Sequence, residues 1–320
     1  MASPVLRLLA QRIALSLILL LLISALIFAG TVVLPGDVAQ SILGQSATEQ
    51  SLANLRDELG LNEPALSRYL SWLGAAVQGD LGTALTSGQE IAPILGSRLK
   101  NTLFLAFWAA AISVPLAIFL GLLAVRFRDR WPDKLISGVT LASISVPEFL
   151  IAYVLMFFVG VKFRIFMPTA VGFRPDADLF TKLEAIALPV TVLTLVVLAH
   201  MMRMTRAAIL NVMQSAYIET AELKGLTMFK IIWRHAFPNA IAPVVNVVML
   251  NLAYLVVGVV VIEVVFVYPG MGQYLVDHVS KRDVPVVQAC GLVFAAVYIG
   301  LNMVADIVAI LSNPRLRHPK

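Results

Sequence analysis

Three acidic residues interrupt long apolar runs that otherwise carry no charge: Glu148, Glu263 and Asp306. A carboxylate in such a run is costly, roughly 2.5–3.5 kcal/mol at the centre of a membrane-inserted helix, so each is a candidate for function or for a specific partner. Glu148 directly follows Pro147, within "SVPEF" at Ser145–Phe149. Proline removes a donor and lets a helix bend. Two readings stand for this pair: a polar, bent gate lining a passage, or a Glu that is paired or protonated inside a helix bundle. Asn246, Asn251 and Tyr254 are spaced along another apolar run, where they either line a pore or hydrogen-bond between helices. Glu263 stands about one turn before Tyr268-Pro269-Gly270 and reads as a structural partner. Asp306 is within reach of basic residues at the end of its run.

Catalytic chemistry is not what these residues suggest. His200, His235, His278 and His318 are dispersed, with no His-Glu-x-x-His and no nucleophile–base pair. His200 reads as a hydrogen-bonder near a helix end. The single cysteine, Cys290, excludes an internal disulfide and any multi-cysteine metal site, and reads as a small buried hydrophobe. The methionines of "HMMRMTRAAILNVM" read as packing. There is no Gly-x-x-x-x-Gly-Lys-Ser/Thr phosphate loop. The chain is therefore expected not to be an enzyme and to bind no metal or cofactor itself.

The elements that must carry these residues follow from composition. The chain is 59% hydrophobic and 13% charged, with mean hydropathy +0.88, whereas a soluble domain is about 25% charged. About 20 apolar residues make a spanning helix. The runs Ile13–Gly36, Asn101–Val125, Leu135–Val161, Ala185–Met202, Ala236–Val276 and Val284–Pro314 meet that requirement. They predict an all-α integral membrane protein with six transmembrane helices, the fifth stopping near Tyr268-Pro269-Gly270. Ile13–Gly36 is too long for the core of a signal peptide and is read as retained. Arg126, Arg128, Arg130, Lys134, Arg203 and Arg206 fall on the side shared by both ends of the chain, together with Lys224, Lys230 and Arg234. Basic residues favour the cytoplasm, so both termini are placed inside. The net charge of +5 is then a matter of topology and calls for no nucleic acid. The long loop 37–100 is expected to hold two short helices, with Leu52, Leu55, Leu59, Leu66, Tyr69, Leu70 and Leu73 on one face and a break in "GLNEP".

One insert is polar: "YIETAELKGLTMFKIIWRHAFPNA", Tyr217–Ala240, between two apolar runs. Ile209, Val212, Met213, Ala216 and Leu223 form a helical stripe before Gly225. Gly225 suits a left-handed C-terminal cap, and a second helical stretch follows that ends at Pro238. The predicted shape is a helix–Gly–helix elbow on the cytoplasmic side. Such an elbow either anchors on anionic lipid or serves as a socket for another protein.

The insert resembles the cytoplasmic loop of ABC importer permeases, whose signature is Glu-Ala-Ala, three residues, Gly, nine residues, Ile-x-Leu-Pro. Glu219, Ala221, Gly225 and Pro238 match in register, while Thr220, His235 and Phe237 depart from it. "LPGD" (Leu34–Asp37), "LGLNEPALSRYLSWL" (Leu59–Leu73), "GDLGTAL" (Gly79–Leu85), "SVPEF", "VIEVVFVYPGMGQYL" (Val261–Leu275), "RDVPVVQA" (Arg282–Ala289) and "NPRLR" (Asn313–Arg317) extend the likeness over nearly the whole chain. Together they resemble the dipeptide/oligopeptide/nickel type of permease.

The resemblance implies a type I importer architecture: a first segment and helix at 1–36, a periplasmic loop region at 37–100, a core bundle of five helices at 101–314 with its coupling loop at 208–238, and a tail at 315–320. It implies a bacterial inner-membrane subunit that pairs with a second homologous permease, two ATP-binding subunits that use ATP and Mg, and a periplasmic solute-binding protein. Glu219, Thr220, Ala221, Gly225 and Pro238 would couple to the ATPases. Asp37, Asp80, Arg282 and Asp283 would face the binding protein, and Pro147, Glu148, Asn246, Asn251 and Tyr254 would lie on the pathway or its gate. The expected cargo is short peptides, although similar permeases carry nickel complexes, glutathione, opines or oligosaccharides. The alternative is a gradient-driven carrier or channel acting alone. Such folds show inverted repeats with broken helices in both halves, and no such repeat is visible here.

Overall fold

The computed structural model describes residues 4–33, 39, 43–44, 47–58 and 62–312, and these are almost entirely helical. The motifs at 34–37 and 313–317 lie outside the described residues. Helix α1 runs Pro4–Val33, α2 Glu49–Glu58, α3 Ala65–Val77 and α4 Ile91–Arg126. Then come α5 (Trp131–Ser145) and α6 (Glu148–Leu155), the latter continued by a π turn over Met156–Lys162. They are followed by α7 (Leu179–Met213), α8 (Ala216–Leu223), α9 (Met228–Ile231), α10 (Phe237–Val265), α11 (Met271–Ser280) and α12 (Val284–Ser312). β pairing among the described residues amounts to an isolated bridge between Thr83 and Glu90.

Among the described residues, five stretches are long and apolar enough to cross a membrane: Leu8–Val32, Ile91–Arg126, Leu179–Met213, Met228–Val265 and Val284–Val308. The third expected span, Leu135–Val161, is not a single helix. It is α5 and α6, bent by 102° at their junction. Proline disfavours helical backbone at the residue before it. Accordingly Val146 is extended at φ −97°, ψ 130°, and Pro147 at φ −57°, ψ 137° begins a new helix. Counted as one bent span, this pair brings the total to six.

The core bundle begins earlier than Asn101. Helix α4 has 36 residues, which at 1.5 Å each is about 54 Å against about 30 Å of hydrocarbon. Its first turns project beyond the apolar slab, where Ile91 and Leu95 are buried against Met271, Tyr274, Val286 and Ala289. Farther along, α4 packs on α7 over a long interface. Gly121 permits the approach, since a Cβ there would stand 3.0 Å from Thr205 Cγ2. Helix α10 packs on both α7 and α12. Helix α1 lies along α12, tied by Gln288 Nε2 donating to Thr31 Oγ1 at 2.7 Å. The Arg12–Asp306 pair at 3.0 Å supplies the basic partner expected for Asp306. In the 37–100 loop, α3 turns back onto α1: the rings of Phe28, Tyr69 and Trp72 cluster, and the Tyr69 hydroxyl lies 2.9 Å from Ser24 Oγ.

Glu263 is the most demanding polar group in the bundle, at 0% exposed. Its Oε1 accepts the Thr102 hydroxyl at 2.6 Å. Its Oε2 accepts the backbone N–H of Gly272 at 2.7 Å and of Gln273 at 3.2 Å, in the first turn of α11. Thr102 Oγ1 in turn accepts the Met271 N–H at 2.8 Å. Beside it, Asn101 Nδ2 donates to the Pro269 carbonyl and the Tyr268 hydroxyl donates to the Asn101 carbonyl, both at 2.8 Å. A side chain at Gly270 or Gly272 would run into this carboxylate. One buried carboxyl group thus joins α4, α10 and α11, as its structural reading requires. Glu263→Ala leaves three donors buried without an acceptor, at about 1–3 kcal/mol each. It is expected to lower stability by at least about 3 kcal/mol, with Glu263→Gln milder, as measured by denaturant titration in mixed micelles.

Candidate functional site

The polar insert forms the expected elbow at the end of the bundle that carries Arg126, Arg128 and Arg130. Helix α8 begins after a break at Gln214 and Ser215 and ends in a Schellman-type cap. Gly225 takes φ +74°, its N–H donates to the Glu222 carbonyl at 2.8 Å, and the Leu226 N–H reaches the Ala221 carbonyl at 3.3 Å. This is the 5→2 and 6→1 pairing that satisfies the last carbonyls of a helix. The second arm does not stop at Pro238. It passes through a π turn, Ile232–Ala236, directly into α10, and Met228–Val265 form one continuous stretch. Pro238 has no N–H for its helical bond and would crowd the preceding turn; the widened turn before it accommodates the ring, so the proline lies near the start of α10 rather than at the arm's end.

The elbow has an anchored face and a free face. Ile218, Ala221, Ile231, Ile232 and Ala236 are buried against Leu122 and Val125 of α4 and Ile209 of α7. Outside, Leu223 is 84% exposed, and Glu219, Thr220, Glu222 and Lys224 are exposed beside it. Phe229, Trp233 and Phe237 form an aromatic ladder with centroids 6.2 and 5.7 Å apart, and Phe229 and Trp233 are exposed. Their i, i+4, i+8 spacing was visible in the sequence as the signal for this stripe. The adjoining turn is braced by Asp133, which is buried. Arg206 holds it through Nε and Nη2 at 2.9 and 2.7 Å, and Asp133 also accepts the Asp129 N–H and the Ser137 hydroxyl.

A second site lies at the α5–α6 break, where α7 and α10 close a cavity of about 580 Å³. Of the expected pathway residues, Pro147, Glu148, Asn251 and Tyr254 line it. Asn246 is exposed elsewhere on α10: five residues separate it from Asn251, which at 3.6 residues per turn turns it to a different face. His200 joins the lining. It is not at a helix end, because α7 continues to Met213. Its spacing with Val197 and Met204, which also line the cavity, is the helical signal that sequence reading passed over.

At the opposite end, the four expected docking residues do not form one set. Asp37 lies outside the described residues. Asp80 accepts the Gly82 N–H at 2.8 Å and shapes a turn. Arg282 is exposed at φ +56°. Asp283 is no surface residue: it is fully buried, accepting the N–H groups of Leu85 and Thr86 at 3.2 and 2.9 Å and the Thr86 hydroxyl at 2.8 Å. Its lone pairs are used in holding the 80–90 turn onto the start of α12, so it offers a partner nothing. Among the described residues no group of three His, Cys, Asp or Glu is placed to hold a metal.

Helices long and apolar enough to cross a membrane, around a cavity with a few polar groups and with an anchored elbow at one end, define a transport subunit. Residues 113–318 match the family model of the binding-protein-dependent transport system inner membrane component, and residues 5–113 match that family's N-terminal model. The chain belongs to this family. It is 34% identical over 312 residues to a Brucella abortus (strain 2308) protein named as a peptide transport system permease, covering 97% of this chain and 99% of that one. It is 30% identical over 308 residues to a peptide ABC transporter permease of Sinorhizobium fredii, covering 96% and 98% of the two chains. It is 34% identical over 299 residues to the glutathione transport system permease of Escherichia coli (strain K12), covering 93% and 95%. A chain of the MetNI methionine ABC transporter in an inward-facing form overlaps 68% of this chain and 95% of its own at TM-score 0.47 and 17% identity.

At Gly225 a Cβ would meet open space, so only the left-handed backbone resists substitution, by about 1–2 kcal/mol for an ordinary residue. Gly225→Asn is therefore expected to keep the elbow, and Gly225→Val to loosen it. Hydrogen exchange of the Leu226 and Gly225 amides reads the difference.

Proposed function

We propose that this chain is the membrane-spanning subunit of an ATP-driven importer that receives short peptides from a soluble binding protein. The observation that carries this reading is the two-faced elbow: one side is packed into three spans, and the other offers Leu223, Phe229 and Trp233 to water. Exposed apolar groups rimmed by charge mark a surface that docks a protein. An elbow of this kind has no evident task in a carrier that works alone. The names of the relatives, two of peptide systems and one of glutathione, a modified tripeptide, support the cargo class.

In this reading both ends of the chain and the elbow are cytoplasmic, in the bacterial inner membrane, in keeping with the basic residues gathered there. A second homologous permease completes the pathway. Two ATP-binding subunits, which use ATP and Mg, each seat one elbow, against Glu219, Thr220 and Gly225 here, while Ala221 on the buried face holds the elbow to the bundle. Because Met228–Val265 is continuous, a push on the elbow acts directly on α10 at the cavity. Asp80 and Arg282 face the binding protein on the other side.

Affinity purification from native membranes in mild detergent, with mass spectrometry, is expected to recover a second permease, ATP-binding chains and a binding protein. Recovery of the intact chain alone would count against the reading. Leu223→Asp and Glu219→Lys are expected to keep normal membrane levels while ATPase recovery and uptake fall at least about tenfold, the scale of one interface anchor. Unchanged uptake in both would remove the docking role.

A further inference from the structure

The cavity at the α5–α6 break holds one carboxyl group, Glu148, and several acceptor oxygens. Ser143 Oγ donates to the Val139 carbonyl at 3.0 Å, and Asn251 Nδ2 donates to the Val247 carbonyl at 2.8 Å. Ser143 has spent its one donor and Asn251 one of its two on their own helices, and both keep acceptor oxygens. Glu148 has no hydrogen-bond or ion-pair partner among the described residues and is only partly exposed. Tyr254 adds a hydroxyl and a ring face, His200 adds an imidazole, and no Lys or Arg is in the lining. The remaining wall is apolar: Ile144, Val146, Val196, Val197, Val247 and Leu250. By contrast, the cavity beside the start of α4 carries Lys100 and Lys182.

We infer that this cavity is a subsite for the ammonium group of the transported molecule, with Glu148 as its counter-charge. This rests on the reading of the chain as a peptide permease, and it adds which end of the cargo is recognised. An ammonium has three donors and no acceptor, which is the complement of a carboxylate flanked by the Asn251 and Ser143 oxygens. Apolar walls lower the local dielectric and sharpen the preference for a cation over a neutral amide. A carboxylate would meet Glu148 and be repelled. A volume of about 580 Å³ with a few converging polar groups is the usual form of a small-molecule site. A lysine or arginine fixed there by a neighbouring subunit is the rival source of the cation.

The test uses the purified complete transporter and dicyclohexylcarbodiimide, a reagent for carboxyl groups in apolar surroundings, with peptide mapping of the adduct at Glu148. Trialanine is expected to slow modification about tenfold, the size of one charge-assisted contact, and N-acetyl-trialanine to give no protection. Equal protection by both peptides, or by neither, overturns the subsite. Glu148 that stays unmodified in the complex, together with loss of the second permease from the Glu148→Gln complex, assigns the charge to a subunit contact and also overturns it. ATP-driven uptake of trialanine into liposomes is measured in parallel. It is expected to fall about tenfold in Glu148→Gln at subsaturating peptide and to recover in part in Glu148→Asp; full uptake in Glu148→Gln refutes the inference. Absence of ATP-driven uptake in the wild type overturns the peptide-importer reading itself. Uptake without protection overturns the subsite alone.

Discussion

Hydrocarbon supplies no hydrogen bonds, so every polar group that enters it must find its partner within the protein. The backbone meets this by being helical. The acidic side chains are met one at a time: Glu263 inside the bundle with Thr102 and two amides of α11, and, toward the end that carries the basic residues, Asp133 with Arg206 and Asp306 with Arg12. Each pairing also decides which helices are neighbours. Glu263 brings α11 against α4 and α10, and Asp133 fixes the start of α5 on α7. Among the acidic groups of the apolar runs, Glu148 is the exception, and it lies where the backbone itself is broken, beside a cavity.

Much of this was legible because charge-free runs of spanning length have few alternatives. The spans, the loop with two short helices, the glycine-capped elbow and the structural role of Glu263 all follow from local pattern. What escaped was set at a distance or by subtle backbone preference. Composition is the same on either side of Pro147, so a bend and a break look alike in the sequence; the extended conformation of Val146 decides between them. The charges at Arg98 and Lys100 disguised the first turns of α4, whose Ile91 and Leu95 are buried by residues far along the chain. Asp283 looked like a surface acid because its partners, Leu85 and Thr86, are nearly two hundred positions away. Pro238 has the form of a stop signal, and only the π turn before it lets the helix carry on.

The elbow and the cavity are connected by shared elements. Val244 of α10 is buried in the cluster that holds the elbow, and Val247 and Asn251 of the same helix line the cavity, one to two turns farther on. Helix α7 contributes Ile209 to the first and His200 and Met204 to the second. No loop intervenes between them, so a displacement of the elbow has no flexible joint in which to dissipate before it reaches Asn251.

Helix α4 has a further mechanical meaning. Its Ile91 and Leu95 belong to the cluster at one end of the molecule, Leu105 and Ala109 to the central one, and Leu122 and Val125 to the cluster under the elbow. It is a single beam of about 54 Å, packed in the middle layer through Leu105 and Ala109 and held close to α7 at Gly121, near its elbow end. Tilting such a beam by about 5° sweeps one tip roughly 5 Å relative to the other. The two mouths of the bundle are therefore geometrically geared: what narrows one end of α4's travel widens the other, with no signal relayed from residue to residue.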